Sequence, residues 1–335
     1  MAVSRAFDDL LSTARALSAG GDWAGVRRLF VESAGAGEAM ARTHPELATL
    51  RAEAELRTGH PREAHQWLTA ALKTIQRSGD RPALRKAMNQ LGVAEVELGV
   101  LEEAERSFAH ALELARVDGD DLLVARATNN MGAIANIRGR RDEALALYQL
   151  AIPAYQRLGH VAGLAESFHN MAISYRHLGQ LERSDELERR AMGYASECAN
   201  EPLQALARLG RAEVSLQSGD ARLAEAGAQL AAAAFAAIPD PIREADALRL
   251  LAAARVSLGN HTAASQPVER AIALARTHAS PLEEAEALRV RAAVWAAHGD
   301  SAAARADIEA AVRLFEGLGA VALSEEARKW ARERL

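Results

Sequence analysis

Residues 121–159 read DLLVARATNNMGAIANIRGRRDEALALYQLAIPAYQRLG, and they carry the clearest structural signal in the chain. Gly139 and Gly159 close two segments of helical length, and most residues in these segments are good helix formers. Glycine suits the left-handed position that follows the last residue of a helix. The stretch therefore predicts an antiparallel pair of helices, here called A and B, with the A-to-B turn at Gly139.

The same turn recurs along the chain with a period of 40 residues and without an insertion or deletion. The A-to-B turn glycines are Gly59, Gly99, Gly139, Gly179, Gly219, Gly259 and Gly299. A second set, 20 residues out of phase, marks the end of helix B at Gly79, Gly119, Gly159 and Gly319. Each repeat thus has two breaks, which predicts one helix pair per repeat and a continuous core built by stacking the pairs.

Small residues recur at fixed distances from each turn glycine and predict that the paired helices pack closely. Five residues after the turn stand Ala64, Ala104, Ala144, Ser184, Ala224, Ala264 and Ala304; twelve after stand Ala71, Ala111, Ala151, Ala191, Ala231, Ala271 and Ala311. Seven before the turn stand Ala52, Gly92, Gly132, Ala172, Ala212, Ala252 and Ala292. Helix starts are marked by Asp80, Asp120 and Asp240, which suit N-caps, and by Pro82, Pro202, Pro241 and Pro281.

Composition supports a helical chain and excludes several classes of protein. Of 335 residues, 77 are alanine and 4% are aromatic, which leaves few residues that favour strands. The net charge of −5 gives no basic surface for nucleic acid, and one cysteine, Cys198, excludes a disulfide framework. The N-terminus has no apolar signal-peptide core, and the longest uncharged run, 226–239, is too short to span a bilayer. We expect a soluble, cytoplasmic protein that binds neither nucleic acid nor membrane.

The repeat resembles the tetratricopeptide repeat family, with a period of 40 residues in place of about 34. The residues that carry the resemblance are Asn130, Met131, Gly132, Gly139, Asp142, Glu143, Ala144, Tyr148 and Ala151, and one repeat earlier Leu91, Gly92, Gly99, Glu103, Ala104, Phe108 and Ala111. The resemblance implies an all-α fold, a right-handed superhelical α-solenoid of about eight antiparallel helix pairs closed by a C-terminal capping helix. It also implies that the A helices line the concave side.

The pattern degrades at both ends, which divides the chain into three parts. Residues 1–33 form a divergent N-terminal helix pair, 40–319 form seven repeats, and 321–335 form the capping helix. A loose linker at 33–38 separates the first two parts. Trp330 and Leu335 on the last helix are candidates to face solvent, which makes this helix a candidate homodimer surface.

No known catalytic, cofactor or metal-binding motif emerges from the sequence. The pair Gly35 and Gly37 lacks the strand and the third glycine of a dinucleotide site. His160, His169 and His177 fall in one repeat, but histidines eight residues apart need another helix to close on a metal. Acidic pairs after the turns suit the first turn of a helix, where they complement its dipole. We therefore predict a protein that is not an enzyme and needs neither a cofactor nor a metal.

The A helices carry a polar stripe at 13, 10, 9, 6 and 3 residues before each turn glycine. Asparagine in the middle of a helix lowers helix stability by roughly 0.5–0.7 kcal/mol relative to alanine, so its recurrence in the stripe needs an explanation. An amide both donates and accepts hydrogen bonds, so it can hold a peptide main chain of any sequence. The predicted peptide-binding groove consists of Lys86, Asn89, Gln90, Arg126, Asn129, Asn130, Asn136, His169, Asn170 and Arg176.

The resemblance implies a peptide-clamping role for Asn130 and Asn170 in particular, with Asn89 and Asn129 as weaker candidates. The cationic residues of the stripe would attract acidic side chains or a terminal carboxylate. The alternative is a polar ladder, in which the amides bond one another between repeats and fix their register. Both roles are compatible.

The function that these features favour is a non-enzymatic scaffold or adaptor that binds a peptide or protein partner in its concave groove. A second hypothesis is a sensory or regulatory subunit that binds a signal and controls a partner protein in bacterial signalling or transcription. An enzyme is disfavoured, because the sequence shows no nucleophile–base pair and no set of metal ligands.

Overall fold

The structure of the protein is a computed structural model that describes residues 2–33, 44–238 and 240–335. Within these ranges it has seventeen α-helices and no strand. The helices are α1 (Ala2–Ala19), α2 (Trp23–Glu32), α3 (Pro45–Arg57), α4 (Pro61–Ser78), α5 (Arg81–Glu97), α6 (Leu101–Asp118), α7 (Asp121–Ile137), α8 (Arg141–Arg157), α9 (Val161–His177), α10 (Leu181–Glu197), α11 (Glu201–Gln217), α12 (Ala221–Ala237), α13 (Pro241–Ser257), α14 (His261–Thr277), α15 (Pro281–Ala297), α16 (Ser301–Gly317) and α17 (Val321–Arg334).

The chain divides into two compact units, Met1–Ala127 and Thr128–Leu335, and the division falls inside α7. In both units consecutive helices pack against one another as antiparallel pairs, with odd-numbered helices as A and even-numbered helices as B. The predicted all-α architecture of stacked helix pairs is therefore confirmed. The linker at 33–38 and residues 40–43 lie largely outside the described residues, and the three-part division of the chain stays a prediction.

The helix termini follow the predicted capping chemistry. The turn glycines have positive φ angles, for example 79° at Gly139 and 61° at Gly159. Asp80 and Asp120 accept hydrogen bonds from the main-chain N–H three residues on, at 3.0 Å in both cases. Proline occupies the first or second position of α5, α11, α13 and α15. These caps supply partners for main-chain groups that a helix leaves unpaired at its ends.

Two alanines replace glycine where the second glycine lattice is interrupted. Ala199 and Ala279 have φ angles of 48° and 55°, and they end α10 and α14 in the left-handed conformation. An L-residue pays a steric penalty in this region that glycine avoids. The repeat geometry thus overrides the residue preference at these two turns.

Close packing within each pair depends on the small residues of the repeat. Ala104, Ala144 and Ala111 are fully buried, as the spacing predicts. A Cβ atom at Gly92 would lie 2.6 Å from the Phe108 ring, and one at Gly132 would lie 2.5 Å from the Tyr148 ring. The missing side chain on helix A therefore makes room for an aromatic side chain on helix B of the same repeat.

The A helices also contact the A helices of neighbouring repeats. In the second unit such contacts join α9 to α11, α11 to α13, and α13 to α15; in the first unit they join α3 to α5. This arrangement places the A helices on the tighter side of the stack within each unit. It brings the polar stripes of neighbouring A helices next to one another.

Candidate functional site

A cavity of 560 Å³ lies within the second unit and is lined mainly by A helices. Its lining takes residues from α7, α9, α11, α13, α15 and α17, together with Arg141 and Tyr148 of α8. On α9 they include His169, Asn170, Ile173 and Arg176, which occupy four of the five predicted stripe positions. The 40-residue register thus brings equivalent positions of successive repeats into one concavity.

The cavity is strongly charged but close to neutral in sum. Its charged lining residues are Arg141, Arg176, Arg249, Arg289, Glu213, Asp246, Glu283, Glu286 and Glu326. A small apolar area, including Ile173, Leu206 and Leu209, lies among them. Such a surface suits a ligand that carries both polar and apolar groups.

A buried ion pair between α11 and α13 fixes one wall of the cavity. Arg249 contacts the carboxylates of both Glu213 and Asp246. Burial alone would raise the pKa of Glu213, but Arg249 and Arg176 outweigh it and lower this pKa to about 2. The same carboxylates hold the pKa of Arg249 well above its usual value against the effect of burial. This pair is therefore ionised and committed to the structure.

The predicted stripe amides have different environments in the structure. Asn136 and Asn129 are buried and accept hydrogen bonds from serine hydroxyls of α9: Ser174 Oγ donates to Asn136 at 3.2 Å, and Ser167 Oγ to Asn129 at 2.9 Å. These bonds join one repeat to the next, so the two amides contribute to a ladder, with hydroxyls rather than amides as partners. Neither serine is among the predicted site residues.

Asn170 behaves differently from these two asparagines. It is half-buried and lines the cavity. Its main-chain carbonyl accepts from Ser174 Oγ, but its side-chain amide makes no hydrogen bond within the described ranges. Asn170 therefore presents a free donor and a free acceptor to the cavity, whereas Asn130 is half-buried and lies outside the cavity lining.

The remaining predicted residues lie in the first unit. Gln90 is buried, and its Nε2 donates to the Thr49 main-chain carbonyl at 3.1 Å. Lys86 forms a 2.9 Å ion pair with Glu53 on the neighbouring A helix. Asn89 is half-buried, and Arg126 is exposed. The stripe residues of this unit thus include two that pair with the adjacent repeat, and a peptide-binding role for the four stays a prediction.

His169 is part of a buried pair that the sequence analysis did not foresee. Its Nδ1 lies 3.0 Å from both carboxylate oxygens of Glu188 on α10. Glu188 is fully buried, and burial raises its pKa, although His169 and Arg176 act in the opposite direction. A Cβ atom at Gly210 would lie 2.0 Å from Glu188 Oε1, so this glycine makes the space for the carboxylate. His169 is thereby oriented at the cavity wall.

The repeat pattern itself contains a signal for Glu188. Nine residues after the turn glycine the chain places Leu68, Phe108, Tyr148, Glu188, Ala228, Val268 and Ile308, all of them buried. A carboxylate at a position that is apolar in the other six repeats departs from the core pattern. Buried ionisable residues concentrate at functional sites, so the carboxylate at this core position indicates the repeat that contains His169.

The three histidines of this repeat have separate environments. His160 caps α9, with its Nδ1 accepting from the Gly163 N–H at 2.9 Å. His177 lines the cavity but keeps an exposed side chain; partial desolvation and repulsion by Arg176 and Arg141 lower its pKa. Among the described residues no cluster of three or more histidine, cysteine or acidic side chains could hold a metal ion. In the same ranges no helix combines the length and the apolar character that crossing a bilayer requires.

The family comparison identifies the repeat. Residues 123–197 match the model of the tetratricopeptide repeat, which agrees with the resemblance of the sequence. A search of curated proteins finds no match. The match contains α9, α10 and the Glu188 position, so the repeat that departs most from the core pattern is still within the family model.

Solved structures with a similar fold include Rap proteins. The Rap conjugation gene regulator of the plasmid pLS20, in complex with the Phr* peptide, has a TM-score of 0.68 at 14% identity, over 83% of this chain and 75% of the other. A Rap protein complexed with competence and sporulation factor has a TM-score of 0.63 at 12% identity, over 99% and 100%. The apo form of RapI has a TM-score of 0.53 at 11% identity, over 98% and 97%. At these identities the similarity establishes the fold.

Proposed function

Because this chain is built of tetratricopeptide repeats, we propose that it is a non-enzymatic scaffold or adaptor that binds an extended peptide in the cavity of its second unit. The observation that carries the proposal is the Asn170 amide, which lines the cavity with both of its hydrogen-bonding groups free. The amide is half-buried and not fully enclosed, so a ligand can reach it and replace its contacts with water by hydrogen bonds. A peptide main chain offers the matching alternation of N–H and C=O groups.

The rest of the cavity fits the same kind of ligand. His169 and Arg176 flank Asn170 on α9, and Ile173 with Leu206 offers an apolar contact for a side chain. The peptide complexes among the similar folds support this proposal, since a stack of this type is known to accept a peptide. Asn130, outside the cavity lining, belongs to the proposed groove as its extension within the second unit, and Asn89 is a separate candidate in the first unit.

The test is retention of a randomised hexapeptide library by the immobilised full-length chain. We expect Asn170→Ala to reduce retention about tenfold, because it removes one or two hydrogen bonds to a main chain, worth about 1.4 kcal/mol. The matched control is Asn260→Ala, since Asn260 is exposed at the start of α14 and makes no capping bond with its side chain. Equal retention by the Asn170→Ala variant and the wild type would remove the proposed mechanism.

A second candidate is a regulatory subunit that changes state when a peptide binds. It is favoured by the similarity of fold to a conjugation gene regulator over 83% of this chain. Small-angle scattering of the full-length chain distinguishes the two candidates. A change in radius of gyration on adding peptides recovered from the library supports regulation, and an unchanged profile with bound peptide supports a rigid scaffold.

A further inference from the structure

Three pairs of oppositely charged side chains occupy equivalent positions of the repeat. In each, a residue six positions after one turn glycine contacts a residue four positions before the next, so helix B of one repeat is joined to helix A of the following one. For α2 the count starts at Gly21, which has a φ angle of 76°. These inter-repeat pairs are Arg27 with Glu55, His65 with Glu95, and Glu225 with Arg255.

The pair that joins α4 to α5 differs from the other two in its cation. The two arginine pairs have N–O distances of 2.7 and 2.9 Å, and arginine stays charged over the whole pH range in which proteins work. His65 is charged only when protonated, and its Nε2 lies 3.9 Å from Glu95 Oε1, too far for a hydrogen bond. This joint therefore has a titratable cation where the equivalent joints have a permanent one.

Glu95 is buried with one of its oxygens unpaired. Its side chain is 6% exposed, and within the described ranges Oε2 has no hydrogen-bond partner. Glu55, at the equivalent position, is also buried but is held by Arg27 at 2.7 Å and by Arg51 at 3.6 Å. A buried carboxylate without a close cation is unfavourable. Glu95 therefore gains from a proton of its own or from a protonated His65.

The other charged groups around Glu95 do not take the place of this cation. On α6, Ser107 and Arg106 favour the ionised carboxylate and Glu103 disfavours it. Arg106 and Glu103 also pair with each other at 2.8 Å. On α3, Glu53 forms its 2.9 Å ion pair with Lys86. Within the described part of the chain, His65 is the one cationic group that lies within 4.0 Å of Glu95.

Both members of the pair respond to pH in the same direction. The His65 side chain is 36% exposed, so its ring can exchange protons with solvent and turn towards Glu95. Burial raises the pKa of Glu95. A carboxyl group with a raised pKa stabilises the fold at low pH, and this stabilisation is lost as the pH rises through the folded value. A protonated histidine likewise attracts the carboxylate only at low pH, so the two groups share one proton-linked transition.

We propose that the His65–Glu95 pair is a pH-sensitive joint between the first two 40-residue repeats, which holds α4 against α5 in mildly acidic solution and loosens as the pH rises. The inner side of α5 carries Lys86, Asn89 and Gln90 of the predicted stripe, so the state of the joint affects how firmly these residues are held. The proposal is independent of peptide binding in the cavity, because the joint lies in the first unit and the cavity in the second.

The test is hydrogen–deuterium exchange of the full-length chain, followed by mass spectrometry at pH 5.5 and pH 7.5 and corrected for the intrinsic pH dependence of exchange. We expect amides of α4 and α5 to be about three- to tenfold better protected at pH 5.5, close to the effect of one partly exposed ion pair. Amides of α12 and α13, which the permanent cation Arg255 joins, are the internal reference and should change less than about twofold.

Variants assign the effect to the pair. His65→Arg supplies a permanent cation and should keep the acid level of protection at both pH values. Glu95→Gln removes the buried charge and should also abolish the pH dependence, with protection at pH 7.5 above that of the wild type. His110→Gln, a half-buried histidine on α6 of the same unit, is the matched control and should retain the wild-type pH dependence.

A second histidine near the start of α4 makes the experiment decisive. His60 Nδ1 lies 3.0 Å from Thr58 Oγ1, so its titration is the competing cause of a pH effect in this helix. A pH dependence that persists in both His65→Arg and Glu95→Gln, or equal protection of the wild type at the two pH values, would overturn the proposal. A dependence that both variants lose and His110→Gln keeps establishes the joint.

Discussion

At the scale of single residues, the chain departs from its own repeat in two informative ways. Glu188 takes a core position that is apolar in the other six repeats, and Ala199, like Ala279, takes a left-handed turn position that glycine fills at Gly79, Gly119, Gly159 and Gly319. The first departure accompanies a polar cavity, since His169 and Arg176 both act on Glu188. The second carries the steric cost of an L-residue in the left-handed region.

Ala199 therefore provides a prediction about stability. Replacing it by glycine, Ala199→Gly, relieves a φ angle of 48° and should stabilise the chain by about 0.5–1 kcal/mol after the added freedom of the unfolded chain is subtracted. The reverse change at the equivalent turn, Gly159→Ala, should destabilise by a similar amount; a Cβ there would meet nothing within 4 Å, so only backbone strain acts. Urea midpoints of the two variants and the wild type check both signs, and a shift of the two in the same direction would refute this reading of the turns.

The single-residue features of the groove were only partly predictable. Periodicity locates Asn170 and Arg176 on one face of a helix, because that requires no more than 3.6 residues per turn. It does not tell which amide keeps a free side chain. Which amides are paired depends on the Ser167 and Ser174 hydroxyls of α9. They bond Asn129 and Asn136 of α7.

At the scale of helices, the 40-residue spacing predicts where each helix begins and ends, because each turn is determined by the few residues within it. Glycine, N-cap aspartate and early proline act within a few residues of themselves, so their spacing translates directly into α5, α7 and α9. Ion pairs between A helices were not predicted. Glu213 and Arg249 stand 36 residues apart, and nothing in their local sequence distinguishes them from exposed charges that never meet.

The pair between α11 and α13 makes a prediction about acid stability. The folded pKa of Glu213, about 2, lies below its ordinary value of 4.5, so its ionised form stabilises the fold at higher pH. This contribution, up to about 3 kcal/mol, is present above pH 4.5 and is lost as the pH falls from there towards 2. Glu213→Gln should be less stable than the wild type at pH 6.5 and should lose much less of its stability on acidification.

Urea unfolding of both proteins at pH 6.5 and at pH 3 measures this difference. The variant isolates the titration of one carboxylate, since Asp246 remains beside Arg249 in both proteins. Parallel losses of stability in the wild type and in Glu213→Gln would show that Glu213 does not carry the acid sensitivity.

At the scale of the whole molecule, the chain consists of two compact units, each made of stacked helix pairs. The sequence shows no boundary at residues 127 and 128, because the 40-residue period continues through α7 without change. The fold class follows from the period, whereas the period does not mark this division. The polar cavity lies wholly in the second unit and collects charged residues from five A helices and from α8.

The account rests on the claim that a peptide occupies this cavity, and site-specific crosslinking tests it most directly. A photoreactive benzoylphenylalanine is introduced by Leu206→benzoylphenylalanine, in the cavity lining, and in a second protein by Leu230→benzoylphenylalanine, on an exposed surface of α12. Both full-length proteins are irradiated with the randomised hexapeptide library. We predict abundant peptide adducts at position 206, few at position 230, and loss of the former when Asn170→Ala is added. Equal adduct yields at the two positions, or a yield at 206 that is indifferent to Asn170, would contradict it.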